Sequence, residues 1–167
     1  MNPQALSPRL QKLYDLCQPK QPVWDLCCDH GLLGLWALHS ETHPCVVFND
    51  AVAHVLEGLQ QKFGAHAPRA KVICGPAEDI VEPLDGNVVL AGIGGEKIVR
   101  ILQTHAARAN LHATRVIACP EKDAEWMMAQ PIAGYAIRDR LTIPHGTGHR
   151  WIAVYEPLRQ APKNDSP

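Results

Sequence analysis

Net charge is almost absent from this sequence, with 16 lysines and arginines against 17 acids for a formal balance of -1. Such a total neither supplies nor excludes a basic patch for nucleic acid, although nine histidines would add positive charge in mildly acidic conditions. Long apolar runs are missing as well. Each is broken by polar residues well short of the roughly eighteen positions that a membrane-spanning helix requires, so no membrane partner is expected. The first residues show no basic-then-apolar leader, which points to the cytoplasm. The six cysteines, at positions 17, 27, 28, 45, 74 and 119, contain no Cys-x-x-Cys and lack the spacing of a disulfide framework. Most lie in apolar, strand-like runs and read as small buried hydrophobes of a reducing compartment.

What is present is a globular composition, 46% apolar and 20% charged over 167 residues. That composition excludes disorder and fits one domain over residues 1–157, with a polar, proline-containing tail at 158–167 expected to be disordered. Ser7 followed by Pro8 signals a helix start. Leu6, Leu10, Leu13, Tyr14 and Cys17 then fall on one face of a helix spanning 6–18. Five strand–helix units follow. The strands are expected at 23–28, 44–50, 71–74, 87–91 and 115–119. Helices are expected at 32–39, 51–63, 96–105 and 120–128, with one short turn at 78–84. In the second helix Val52, Val55, Leu56 and Leu59 are expected to face inward. Two closing strands, 135–143 and 151–155, are joined by a short loop. Alternation of this kind predicts an α/β, doubly wound, mostly parallel seven-stranded sheet with an antiparallel C-terminal edge hairpin.

Ligands of such sheets bind beyond the carboxyl ends of the strands. The first of these ends reads Asp25-Leu26-Cys27-Cys28-Asp29-His30-Gly31, where a dinucleotide reader would carry G-x-G-x-x-G. A carboxylate at Asp29 would repel a pyrophosphate, which disfavours NAD, FAD and ATP. S-adenosylmethionine carries an ammonium and a sulfonium and no phosphate, so Asp25, Cys27, Asp29 and Gly31 suit its methionine end. Asp50, with Ala51 after it, ends the second strand. Its carboxylate either accepts from two ribose hydroxyls or caps the next helix. Ala77 and Glu78 lie where an adenine edge would sit, or else form an exposed acidic turn. Gly92-Ile93-Gly94-Gly95 puts three glycines in four residues after a buried strand, which lets the main chain approach a ligand.

Three stretches together resemble the bacterial tRNA (adenine-22)-N1 methyltransferases. They are Leu6-Ser7-x-Arg9-Leu10, Asp25-Leu26-Cys27-Cys28-Asp29-His30-Gly31-Leu32-Leu33, and Val88 to Leu102 with its Ala91-Gly92-Ile93-Gly94-Gly95 core. The resemblance covers roughly residues 6 to 156. It implies a Rossmann-like methyltransferase fold, S-adenosylmethionine as cofactor and N1 of a tRNA adenine as acceptor. Asp29, His30 and Gly94 would then flank the transfer, with His30 either a base or an orienting group. The chain departs from the family at Cys27-Cys28, where glycine then serine is usual, and at Asp50, where glutamate is common. It also ends without the family's C-terminal helical extension, which leaves open another RNA, a small molecule, or a non-catalytic binding module. Arg9, Gly94, Gly95, Arg138 and Arg150 are the candidate substrate contacts. The last two belong to a hairpin whose basic residues and Trp151 would either bind RNA or form a solvated face. His145 and His149 have no partner at ligand spacing, so no metal is expected.

Overall fold

Apolar runs too short for helices and rich in valine form the centre of one sheet in the computed structural model, which describes residues 5–158. In chain order the parallel strands are β1 (Val23–Leu26), β2 (Val46–Asp50), β3 (Ala70–Cys74), β4 (Leu84–Ala91) and β5 (Leu111–Cys119). β6 (Tyr135–His145) and β7 (Gly148–Pro157) close the sheet as a hairpin turning at Gly146-Thr147. The spatial order is β3-β2-β1-β4-β5-β7-β6. β7 lies antiparallel between β5 and β6, so the expected edge hairpin is present with β6 outermost.

Side chains of a strand alternate between faces, and here each face has its own core. Val88 and Leu90 point one way with Trp24 and Leu26, against Ile98, Ile101 and Leu102 of α4 (Gly95–Ala107). Val89 points the other way with Val23, Val46 and Phe48. That second face is covered by α1 (Pro8–Asp15), α2 (Leu32–His39) and α3 (Ala53–Gln60). α5 (Ala124–Ala129) packs beside α4 through buried Met127.

α3 ends at Gln60 rather than 63 and α4 runs Gly95–Ala107 rather than 96–105; at three further helix boundaries a side chain or loop takes over the backbone groups. α1 starts as expected, with Ser7 accepting from Leu10 N–H at 3.3 Å, but stops at Asp15 rather than 18. Buried Asn87 of β4 bonds both the amide and the carbonyl of Gln18, at 2.7 and 2.9 Å, so the helical ladder cannot continue. α3 begins at Ala53 rather than 51 because Asp50 Oδ1 accepts from Val52 N–H at 3.0 Å. Val52 stays extended and 43% exposed, so it does not share the inner face. α5 begins at Ala124 rather than Pro120. Residues 120–123 instead strap the Gly92–Gly95 loop, with Glu121 N–H donating to Ile93 and Gly95 N–H to Lys122.

The hairpin strands run longer than expected. Of the tail at 158–167, positions 159–167 lie outside the described residues. No helix among the described residues is long and apolar enough to cross a membrane, and the six cysteines are free.

Candidate active site

The strand order reverses at β1, which has β2 on one side and β4 on the other, and a cleft of about 210 Å³ opens above that switch point. Asp25, Cys27, Cys28, Asp29, His30 and Gly31 line it from the first loop. Ala91 and Gly92 line it from β4, Arg9 from α1, and Glu121 from the strap after β5.

Two of the acids organise the loop itself. Asp25 is buried, and its Oδ2 accepts from Gly34 N–H at 2.9 Å. The residue before α2 is Gly31, which has no side chain to cap the helix, so Asp25 supplies the missing acceptor from β1. Burial raises the Asp25 pKa to about 7, opposed by the Gly34 amide and reinforced by nearby Asp50. Asp50 accepts from Asp29 N–H and Val52 N–H, both at 3.0 Å, one bond on each oxygen. Each oxygen keeps a lone pair for a further donor.

Cys27 and Asp29 hold left-handed backbone at φ +55° and +49°, the two tight corners of the turn. Burial pushes the Cys27 thiol up, an effect held back by Lys97 of α4. The Cys28 thiol rises through burial and the charges of Asp25 and Asp50. Both shifts favour the neutral, poorly nucleophilic thiol. Asp29 and His30 are about three-quarters exposed at the rim, their side chains 3.9 Å apart.

Gly92 adopts φ +77°, and a Cβ there would meet nothing within 4 Å, so the main chain is open toward the cleft. Ile93 packs on the core, Gly94 caps α4, and Gly95 lies against the backbone of Asp123. Beyond β3, Ala77 is buried and its carbonyl accepts from His105 at 2.8 Å. Glu78 accepts from Arg100 at 2.8 Å through Oε1, while its Oε2 is shielded and has no partner among the described residues. Burial works against the Glu78 charge, but hydrogen bonds from its own backbone and from Arg100, with Lys97 nearby, hold its pKa below the usual value.

The sequence-predicted residues of the first loop, Asp50-Ala51, Ala77-Glu78 and Gly92 to Gly95 therefore converge on one end of the sheet. Arg9 joins them, and its Nη1 is buried without a hydrogen-bond partner. Arg150 stands beside Glu121 at the same end, 3.7 Å away. Arg138 does not join them. It sits in a bulge of outermost β6, level with Val154 and Tyr155 and below the carboxyl end of β5. Glu121 and Lys97 were not anticipated as site residues. Pro120-Glu121 reads in isolation as a helix start, and Lys97 stands in a helix with no local signal that sets it apart. No group of three or more metal-ligating side chains occurs among the described residues.

A sheet in this order, with an acid-lined cleft over its switch point, defines a Rossmann-like α/β protein. The chain belongs to the methyltransferase domain family, whose model matches residues 6–143. Among curated proteins none matches it. Solved structures share the fold at low identity. An uncharacterized protein from Listeria monocytogenes serotype 4b has 23% identity and a TM-score of 0.78, over 93% of this chain and 70% of that one. The B. subtilis m1A22 tRNA methyltransferase TrmK has 19% identity and a TM-score of 0.77, over 92% and 67%. M. capricolum TrmK, solved with S-adenosyl-homocysteine, has 17% identity and a TM-score of 0.75, over 92% and 70%.

Proposed function

We propose that this protein transfers a methyl group from S-adenosylmethionine to N1 of an adenine in tRNA. The observation that carries the reading is the acid-lined cleft at the β1/β4 switch point of a methyltransferase-family chain. Carboxylates stand there where a phosphate binder offers bare amides. The TrmK proteins among the structural neighbours support the choice of acceptor.

The unfilled valences suit this donor group by group. The free lone pairs of Asp50 match two ribose hydroxyls, and the orphaned Glu78 Oε2 matches the adenine amine. Arg9, expected from sequence on the acceptor, suits the donor's α-carboxylate better, because its side chain lines the donor cleft and keeps an unpaired Nη1. Asp29 at the rim suits the cationic end. The donor supplies a sulfonium-bound methyl group for in-line displacement, so the chain's own task is alignment and exclusion of water. Adenine N1 presents a free lone pair and needs no base, which leaves His30 an orienting role. Asp29, near the developing charge on the ring, stabilises it electrostatically.

Calorimetry with S-adenosylmethionine tests the cofactor, and absence of binding overturns the reading. Incubation with labelled cofactor and bulk tRNA, followed by nucleoside analysis, should yield labelled N1-methyladenine. Label absent from RNA would redirect the acceptor to a small molecule. Asp29→Ala should lower kcat by about tenfold or more and weaken cofactor binding by a smaller factor. A variant with full rate would remove Asp29 from the transfer site.

A further inference from the structure

Arg150 carries a charge that the fold answers only loosely, through the half-exposed Glu121 that lines the cleft. β7 runs antiparallel to β5, with Ala153 opposite Ala118, so the residues at the start of β7 pass beyond the carboxyl end of β5. The Arg150 side chain is only 17% exposed. Its Nη2 lies 3.1 Å from His145 Nε2, and because a guanidinium only donates, that imidazole nitrogen is the acceptor and adds no negative charge. Its Nη1 is shielded from solvent with no hydrogen bond among the described residues. Glu121 Oε1, at 3.7 Å, is outside hydrogen-bond reach, and the Glu121 side chain is 53% exposed. A guanidinium withdrawn from water with both N–H of Nη1 unmet is arranged for an anion that arrives from outside.

We propose that Arg150 reads the phosphate attached to the acceptor base, so that the acceptor is a nucleotide and not a nucleoside or an uncharged metabolite. The inference rests on the methyltransferase reading above and specifies its acceptor. The planar fork of a guanidinium matches phosphate oxygens, and His145 holds that fork by its far nitrogen. The donor's one carboxylate already has a match in Arg9, on a different element, which leaves Arg150 for the acceptor. Glu121 then acts as an exposed place-holder that yields when phosphate enters.

The test is an NMR titration of the protein saturated with S-adenosylhomocysteine, using adenosine, AMP and CMP in turn. AMP should bind at least about tenfold more tightly than adenosine. Arg150→Gln should abolish that preference while leaving adenosine and S-adenosylhomocysteine binding unchanged, which a merely structural residue would not do. Glu121→Gln, which removes the competing charge, should tighten AMP binding several-fold. Equal binding of adenosine and AMP to the unaltered protein overturns the proposal, as does an AMP preference that survives Arg150→Gln. CMP binding as tight as AMP, with the same dependence on Arg150, supports the phosphate assignment and overturns the adenine reading instead. Failure to bind S-adenosylhomocysteine overturns the methyltransferase reading, and the AMP–adenosine comparison then still decides the phosphate site on the unliganded protein.

Discussion

The two walls of the cleft are built on opposite principles. The donor wall, from β1 to β4, is held by internal bonds: Asp25 to Gly34, Asp50 to two amides, and Asn49 to the carbonyls of Ile73 and Gly75. The side proposed to meet the acceptor has a strap after β5 tied by main-chain bonds at Ile93 and Gly95, and beyond it a hairpin tip with few side-chain ties. His145 to His149 all face solvent there. A site that must align a large cofactor needs its backbone fixed in advance, whereas a site for a macromolecular acceptor can keep open valences. The comparison predicts that small substitutions damage the first wall far more than the second.

The largest effect is expected at Gly34. A Cβ there would overlap the Phe48 ring and stand 3.0 Å from Asp25 Oδ2. Helix propensity alone would make Gly34→Ala stabilising by about 1 kcal/mol. Packing should win, with a net loss of about 2–3 kcal/mol in chemical denaturation. Thr147→Ala at the hairpin tip should stay within about 0.5 kcal/mol. Equal effects at the two positions would break the comparison.

Asp50→Ala comes next, because it removes one acceptor for the Asp29 amide and another for the Val52 amide. Stability should fall by about 1–2 kcal/mol, and S-adenosylmethionine affinity by about tenfold or more in calorimetry. A stability loss with unchanged affinity would make Asp50 a turn residue only.

Asp25 sharpens the comparison through pH. Its pKa in the folded chain is raised from 3.8 to about 7, chiefly by burial. Over that interval the folded state binds more protons than the unfolded one, so stability falls as pH rises from about 4 to about 7 and then levels. The slope from this group is at most about 1.4 kcal/mol per pH unit. Asp25→Asn keeps an oxygen for Gly34 N–H and removes the titration, so it should flatten that part of the stability–pH curve. A curve unchanged by the substitution would show Asp25 to be ionised throughout.

Much of this architecture was legible in the sequence because valine-rich runs and helical spacing act locally. The mostly parallel sheet, its antiparallel closing hairpin and the converging loops followed from alternation, whereas the strand order did not. Boundaries failed where a distant side chain intervened, as Asn87 does at Gln18. The strap at 120–123 was misread for a related reason: Pro120-Glu121 is a good helix start in isolation, and only the carbonyl of Ile93 claims the Glu121 amide. Asp25 was legible as an acid of the first strand end, which lines the cleft, but its bond to the Gly34 amide was not, since nothing local says that a helix opened by Gly31 draws its cap from the preceding strand.

The smallest effect tests the two cysteines of the turn against each other. Cys27 holds φ +55°, whereas Cys28 is not among the left-handed residues. The family that the sequence resembles usually has glycine at the first of these positions, which is the residue a left-handed corner favours. A non-glycine side chain there costs roughly 1–2 kcal/mol. Cys27→Gly and Cys27→Ala both discard the thiol and its packing, so their difference isolates the backbone. Cys27→Gly should therefore be the more stable of the pair by about 1 kcal/mol. At Cys28, which carries no such strain, the order should reverse, with Ala ahead of Gly by about 0.5–1 kcal/mol because glycine loses more chain entropy on folding. Thermal melts of the four variants decide it. The same order at both positions would mean that the turn relaxes, and that the donor wall is less rigid than its hydrogen bonds suggest.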